Sequence, residues 1–64
     1  MMTLSQLVAV TDLVWLRVYP GGPAAEYLTY NGPYEIRDAI RAHGNRTVSR
    51  ILPGYRFMIV YLSR

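Results

Sequence analysis

Residues 55–62 read YRFMIVYL, and Phe57 to Leu62 form the longest uninterrupted apolar run in the chain. In an extended strand, alternation puts Tyr55, Phe57, Ile59 and Tyr61 on one face and Met58, Val60 and Leu62 on the other. Both faces are apolar, so this strand needs cover on both sides. The run is far shorter than the roughly 20 residues that cross a bilayer as a helix, which makes it an interior strand and leaves no expected membrane span.

Upstream of it, Thr47 to Leu52 reads as a partner strand, with Pro53-Gly54 as the turn of a hairpin. An earlier period-two segment runs from Leu13 to Tyr19, with Val14, Leu16 and Val18 on one face and Trp15, Arg17 and Tyr19 on the other. Pro20-Gly21-Gly22-Pro23 is turn punctuation, and Ala24 to Tyr30 resumes an extended, aromatic-rich chain. A loop made of those four residues would set Tyr19 opposite Ala24, Arg17 opposite Glu26 and Trp15 opposite Leu28.

Two helices complete the plan. Thr3-Leu4-Ser5-Gln6 is a capping-box pattern that opens a helix from about Leu4 to Val10, with Leu4, Leu7, Val8 and Val10 toward the interior. Asn31-Gly32-Pro33 opens a second. Pro33 suits its first position, Glu35 the first turn, and Gly44 its end. Ile36, Ala39, Ile40 and His43 share one side of that helix, and Tyr34, Arg37 and Arg41 the other. The expectation is one domain over residues 1–64, of α+β class: a small four-stranded, mostly antiparallel sheet with two short helices on one face, in the order αββαββ. Two short helices cover one sheet face, so the other must meet a further copy of the chain or a ligand.

Composition supports a folded chain that associates. Apolar residues make up 52% and charged residues 17%, the reverse of a disordered segment. A 7.3 kDa chain hides about 6,400 Å² on folding. If about 60% of that is apolar, burial returns roughly 95 kcal/mol. Ordering 64 residues costs a similar ~95 kcal/mol. A lone copy stands near break-even. With no cysteine and one histidine, His43, neither disulfides nor a cysteine or histidine metal site can supply the difference, and self-association is the remaining device. No cofactor is expected. The amino end lacks a charged leader with a long apolar core, so an intracellular, cytoplasmic protein is expected.

All seven basic residues are arginine, against four acids, for a net charge of +3 that favours an anionic partner. They are scattered at positions 17, 37, 41, 46, 50, 56 and 64, which argues against a nucleic-acid track. Enzyme motifs are absent from the sequence: no GxSxG, Walker, HExxH or GxGxxG pattern occurs, and His43 at a helix C-terminus suits a packing or capping role as a protonated group. The chain therefore reads as a non-enzyme.

The strongest ligand signal is the face Trp15, Arg17, Tyr19, where two rings flank a guanidinium and could stack a base while holding a phosphate. Arg50 and Arg56 on the second hairpin could add charge to the same sheet. The competing reading of Arg17 is an ion pair with Glu26 across the hairpin. Tyr34, Arg37 and Arg41 form a second candidate, and the backbone amides at Asn31-Gly32-Pro33 a third.

The layout of Thr3-Leu4-Ser5-Gln6-Leu7, a strand ending in Val18-Tyr19, a Gly-rich turn, Pro33-Tyr34-Glu35-Ile36 and a closing hairpin with Arg56 to Leu62 resembles a group of short proteins from phages and gut bacteria that open with a similar "TLSEL" helix. That resemblance implies a phage counter-defence protein in a bacterial cytoplasm, a homo-oligomer that sequesters a nucleotide immune signal, such as a cyclic nucleotide, in pockets between subunits. The alternative is a protein-interaction module that inhibits a host enzyme by occlusion.

Overall fold

The computed structural model describes residues 2–22 and 26–63. The elements run α1 (Leu4–Ala9), β1 (Trp15–Tyr19), β2 (Leu28–Asn31), α2 (Gly32–His43), β3 (Val48–Pro53) and β4 (Phe57–Leu62). The fold is α+β, with both helices contributing to one apolar core. The four strands form one sheet in the order β2-β1-β4-β3.

The order follows from where apolar surface is concentrated. β4 is apolar on both faces and takes a central place beside β1, while the two more polar and more exposed strands take the edges. The two hairpins are antiparallel, as expected, but they are joined by a parallel pair, β1 with β4, in the register Trp15↔Phe57, Arg17↔Ile59 and Tyr19↔Tyr61. The sheet is thus mixed. The connection that makes a parallel pair possible is α2, a crossover long enough to carry the chain over the sheet.

Even-numbered residues of β1 and β4 (Leu16, Val18, Met58, Val60 and Leu62) point to the helix side and are buried with Leu4, Leu7, Ile36 and Ala39. Odd-numbered residues of the same strands point the other way and are only half-buried. The accessible surface, 4269 Å², is that of a compact monomer of this mass.

The capping box of α1 forms as read. The Thr3 hydroxyl accepts from the Gln6 amide at 3.2 Å, and the Gln6 side chain accepts from the Thr3 amide at 2.9 Å. The Leu4 and Ser5 amides donate to the carbonyls of Arg46 and Gly44, each at 3.0 Å, which docks α1 on the loop after α2. Val10 is the C-cap of α1 and is 75% exposed, so it does not join the apolar side. α2 starts at Gly32, so Pro33, expected at the first position, is its second residue; Glu35 sits in the first turn as expected, and Gly44 is the C-cap. Gly44 adopts φ −57°, so its need for glycine is steric: a Cβ there would run into the Ile40 carbonyl oxygen. At Gly54 a Cβ would fall on the Phe57 ring, which would have to shift from its stack with Trp15 to make room.

The first hairpin departs from the simplest register. β2 begins at Leu28, and Arg17 stands opposite Thr29 with Trp15 opposite Asn31. Ala24 and Ala25, expected to open this strand, lie outside the described residues. The shift from position 26 to position 29 is odd, so it reverses the face each residue takes. Leu28 and Tyr30 go to the helix side, and Tyr27 and Thr29 to the open side. No ion pair of Arg17 with Glu26 forms among the described residues.

Candidate functional site

The sheet face turned away from the helices carries three short rows that cross the strands. Trp15 and Phe57 make the first, Arg17 with Thr29 and Ile59 the second, and Tyr19 with Tyr61 the third. Leu52 and Arg50 extend the second and third rows onto β3, opposite Ile59 and Tyr61.

In the first row the rings of Trp15 and Phe57 stack, with centroids 4.7 Å apart and planes 4° from parallel. In the third, Tyr19 meets Tyr61 edge-on at 4.7 Å and Tyr27 at 5.3 Å in a tilted contact. Arg17 lies between the rows, its guanidinium carbon 4.4 Å from the Tyr27 ring centroid and 5.7 Å from that of Trp15. Such contacts order a guanidinium and are worth about 0.5–2 kcal/mol each. The Arg17 Nε is buried and has no hydrogen-bond partner among the described residues. A buried donor left unpaired costs about 1–3 kcal/mol. The fold tolerates that cost at the centre of its open face.

The sequence-derived set is therefore divided. Trp15, Arg17 and Tyr19 come together as expected, and Arg50 shares their face at the β3 edge, where it is exposed. Arg56 does not join them. It sits in the β3–β4 turn at φ 59°, and its guanidinium pairs with Asp12, in the α1–β1 loop, at 3.4 Å. The residues that sequence reasoning left out of the site are Phe57, Ile59 and Tyr61, whose shared face was legible, and Tyr27, whose place follows only from the true register.

The residues of the other candidates make contacts within the chain. Arg37 lies over Tyr34 at 5.9 Å, and Arg41 pairs with Asp38 at 3.5 Å on the wet side of α2. At the start of α2, the Asn31 amide donates to Glu35 Oε1 at 3.2 Å and the Gly32 amide to the Val14 carbonyl at 2.8 Å, so neither is available to an anion. His43 is half-buried on the apolar side of α2. Burial first, and the Arg46 guanidinium second, hold its pKa below the ordinary 6.5. The protonated, capping histidine expected from its position is thus disfavoured. A groove of about 320 Å³ between α1, the loop after it and α2 is lined by Val8, Leu13, Ile36 and Ile40, with Asp12 and Arg37 beside them. Among the described residues no cluster of three or more His, Asp or Glu side chains converges to hold a metal, and no helix is long and apolar enough to cross a membrane.

No family model, curated protein or solved structure matches this chain.

Proposed function

We propose that this chain is a non-enzymatic binding protein whose open sheet face takes an anionic, nucleotide-type ligand, with further copies of the chain closing over that face. The observation that carries the reading is the Arg17 guanidinium, held between the rings of Trp15 and Tyr27 on a face built of aromatic residues. Rings supply stacking surface for a base, and an arginine oriented by rings supplies a planar donor set for phosphate. Neither contact needs a catalytic acid or base. Self-association is supported by the half-buried apolar residues of the same face, Phe57 and Ile59 among them, and by the near-zero balance of a single small core.

The test is calorimetric titration of the full chain with mononucleotides, cyclic dinucleotides and ADP-ribose, with Arg17→Lys as the control, and native mass spectrometry to count copies. Binding that is lost in Arg17→Lys supports the reading. Silence across the whole panel removes it.

A further inference from the structure

We infer that the groove between α1 and α2, on the helix side and away from the open sheet face, binds a small aliphatic carboxylate, with the alkyl chain in the groove and the anionic head at Arg37. The groove exists because the two helices differ in length. α1 has six residues and α2 twelve, which at about 1.5 Å per residue makes them about 9 and 18 Å long. The Leu4 and Ser5 amides hold the start of α1 on the Arg46 and Gly44 carbonyls, at and just beyond the end of α2. α1 therefore runs out beside the middle of α2. Ile36 and Ile40, one turn apart, are left to line a groove of about 320 Å³ with Val8 and the loop residue Leu13.

The lining sets the body of the ligand. Those four side chains are aliphatic, and Thr11, which also lines the groove, donates its hydroxyl to the Val8 carbonyl at 3.2 Å. The walls thus offer contact to an alkyl chain and little to a polar body. A water takes up about 30 Å³ of liquid, so the groove holds roughly ten heavy atoms, room for an acid of about six to eight carbons. Charge sets the head. Of the four acidic residues, Asp12 pairs with Arg56 at 3.4 Å, Asp38 pairs with Arg41 at 3.5 Å, and Glu35 accepts from the Asn31 amide at 3.2 Å. Arg37 lies exposed at the groove and has no carboxylate partner among the described residues. With Asp12 offset by Arg56, Arg37 leaves that rim positive, and its guanidinium fork fits the two oxygens of a carboxylate.

The test is a set of amide correlation spectra of the full chain titrated with hexanoate, acetate, hexan-1-ol and hexylammonium, and it does not depend on nucleotide binding at the open face. Hexanoate should shift the signals around Val8, Leu13, Ile36 and Ile40 saturably and leave those of Trp15 and Arg17 in place. Each buried methylene contributes roughly fourfold, so acetate, four methylenes shorter, should bind at least about tenfold more weakly. The head should give hexanoate about a threefold advantage over hexan-1-ol, within the range of an exposed ion pair, and a larger one over hexylammonium. Arg37→Gln should bind hexanoate and hexan-1-ol alike, and its own spectrum reports that it is folded. Equal affinity of the wild-type chain for hexanoate and hexan-1-ol would overturn the proposal whether or not the variant folds, and so would a preference for hexanoate that survives in Arg37→Gln. Shifts centred on the open sheet face, or no saturable shift at the groove up to about 50 mM, several times the low-millimolar affinity that roughly ten heavy atoms supply, would overturn it as well.

Discussion

Arg46 ties the loop after α2 to Pro20 in the β1–β2 turn: its Nη2 donates to the Pro20 carbonyl at 2.6 Å and also to the Ser63 carbonyl at 2.7 Å. One guanidinium thereby joins the loop after α2, the first hairpin turn and the end of β4, segments distant in sequence. Charge-assisted bonds to carbonyls of this length are among the stronger hydrogen bonds a small protein makes. Arg46→Met should lower the unfolding free energy by about 2 kcal/mol or more, read as a fall in the urea midpoint with the slope unchanged. An unchanged midpoint would mean that the bonds carry no net stability.

Arg17 gives the opposite expectation. The cost of its buried, unpaired Nε offsets what its contacts with the Trp15 and Tyr27 rings contribute, so an apolar side chain of similar reach should cost the fold little. Arg17→Met is expected to unfold within about 0.5 kcal/mol of wild type, or above it, and to lose nucleotide binding altogether. Parallel thermal melts and titrations check the two halves. A variant that unfolds readily would show Arg17 to be a structural residue.

Arg56 tests the division of the sequence-derived site. It has a left-handed backbone, φ 59°, and an exposed ion pair with Asp12. An exposed pair contributes about 0.2–1 kcal/mol, while glycine adopts positive φ without the penalty of a side chain. Arg56→Gly should be more stable than Arg56→Ala by about 1 kcal/mol, and both should bind ligand as wild type does. Lost binding in both would return Arg56 to the site.

His43 should set a pH dependence. Its folded pKa lies below the ordinary 6.5 because of burial and the nearby Arg46. On acidification the unfolded chain takes the proton first, so the stability tied to neutral His43 is complete above the unfolded value and is lost as the pH falls below it. Between about pH 7 and pH 5 the wild type should therefore lose stability relative to His43→Gln, in which that contribution is absent. Parallel stability curves for the two proteins would refute the assignment.

Much of the fold and half of the site were legible in advance, for a physical reason that differs by residue. Trp15, Arg17 and Tyr19 share a face because a strand alternates, whatever it pairs with. Tyr27 could not be placed, because its side depends on the hairpin register. The Arg17–Glu26 alternative failed with that register. Arg46 gave no signal at all, since both of its acceptors are backbone carbonyls from distant segments.

The amino-acid order alone determined the capping box at Thr3, the span of α2 from Gly32 to its Gly44 cap, the two faces of β1 and the doubly apolar character of β4, because each depends on periodicity and on groups within a few residues. Only the tertiary structure decided that β1 and β4 lie parallel at the centre, that Tyr27 reaches Arg17, and that Arg56 turns to Asp12. Those outcomes are choices among partners far apart along the chain. They are settled by which arrangement buries Leu16, Val18, Val60 and Leu62 together, and no local pattern encodes that comparison.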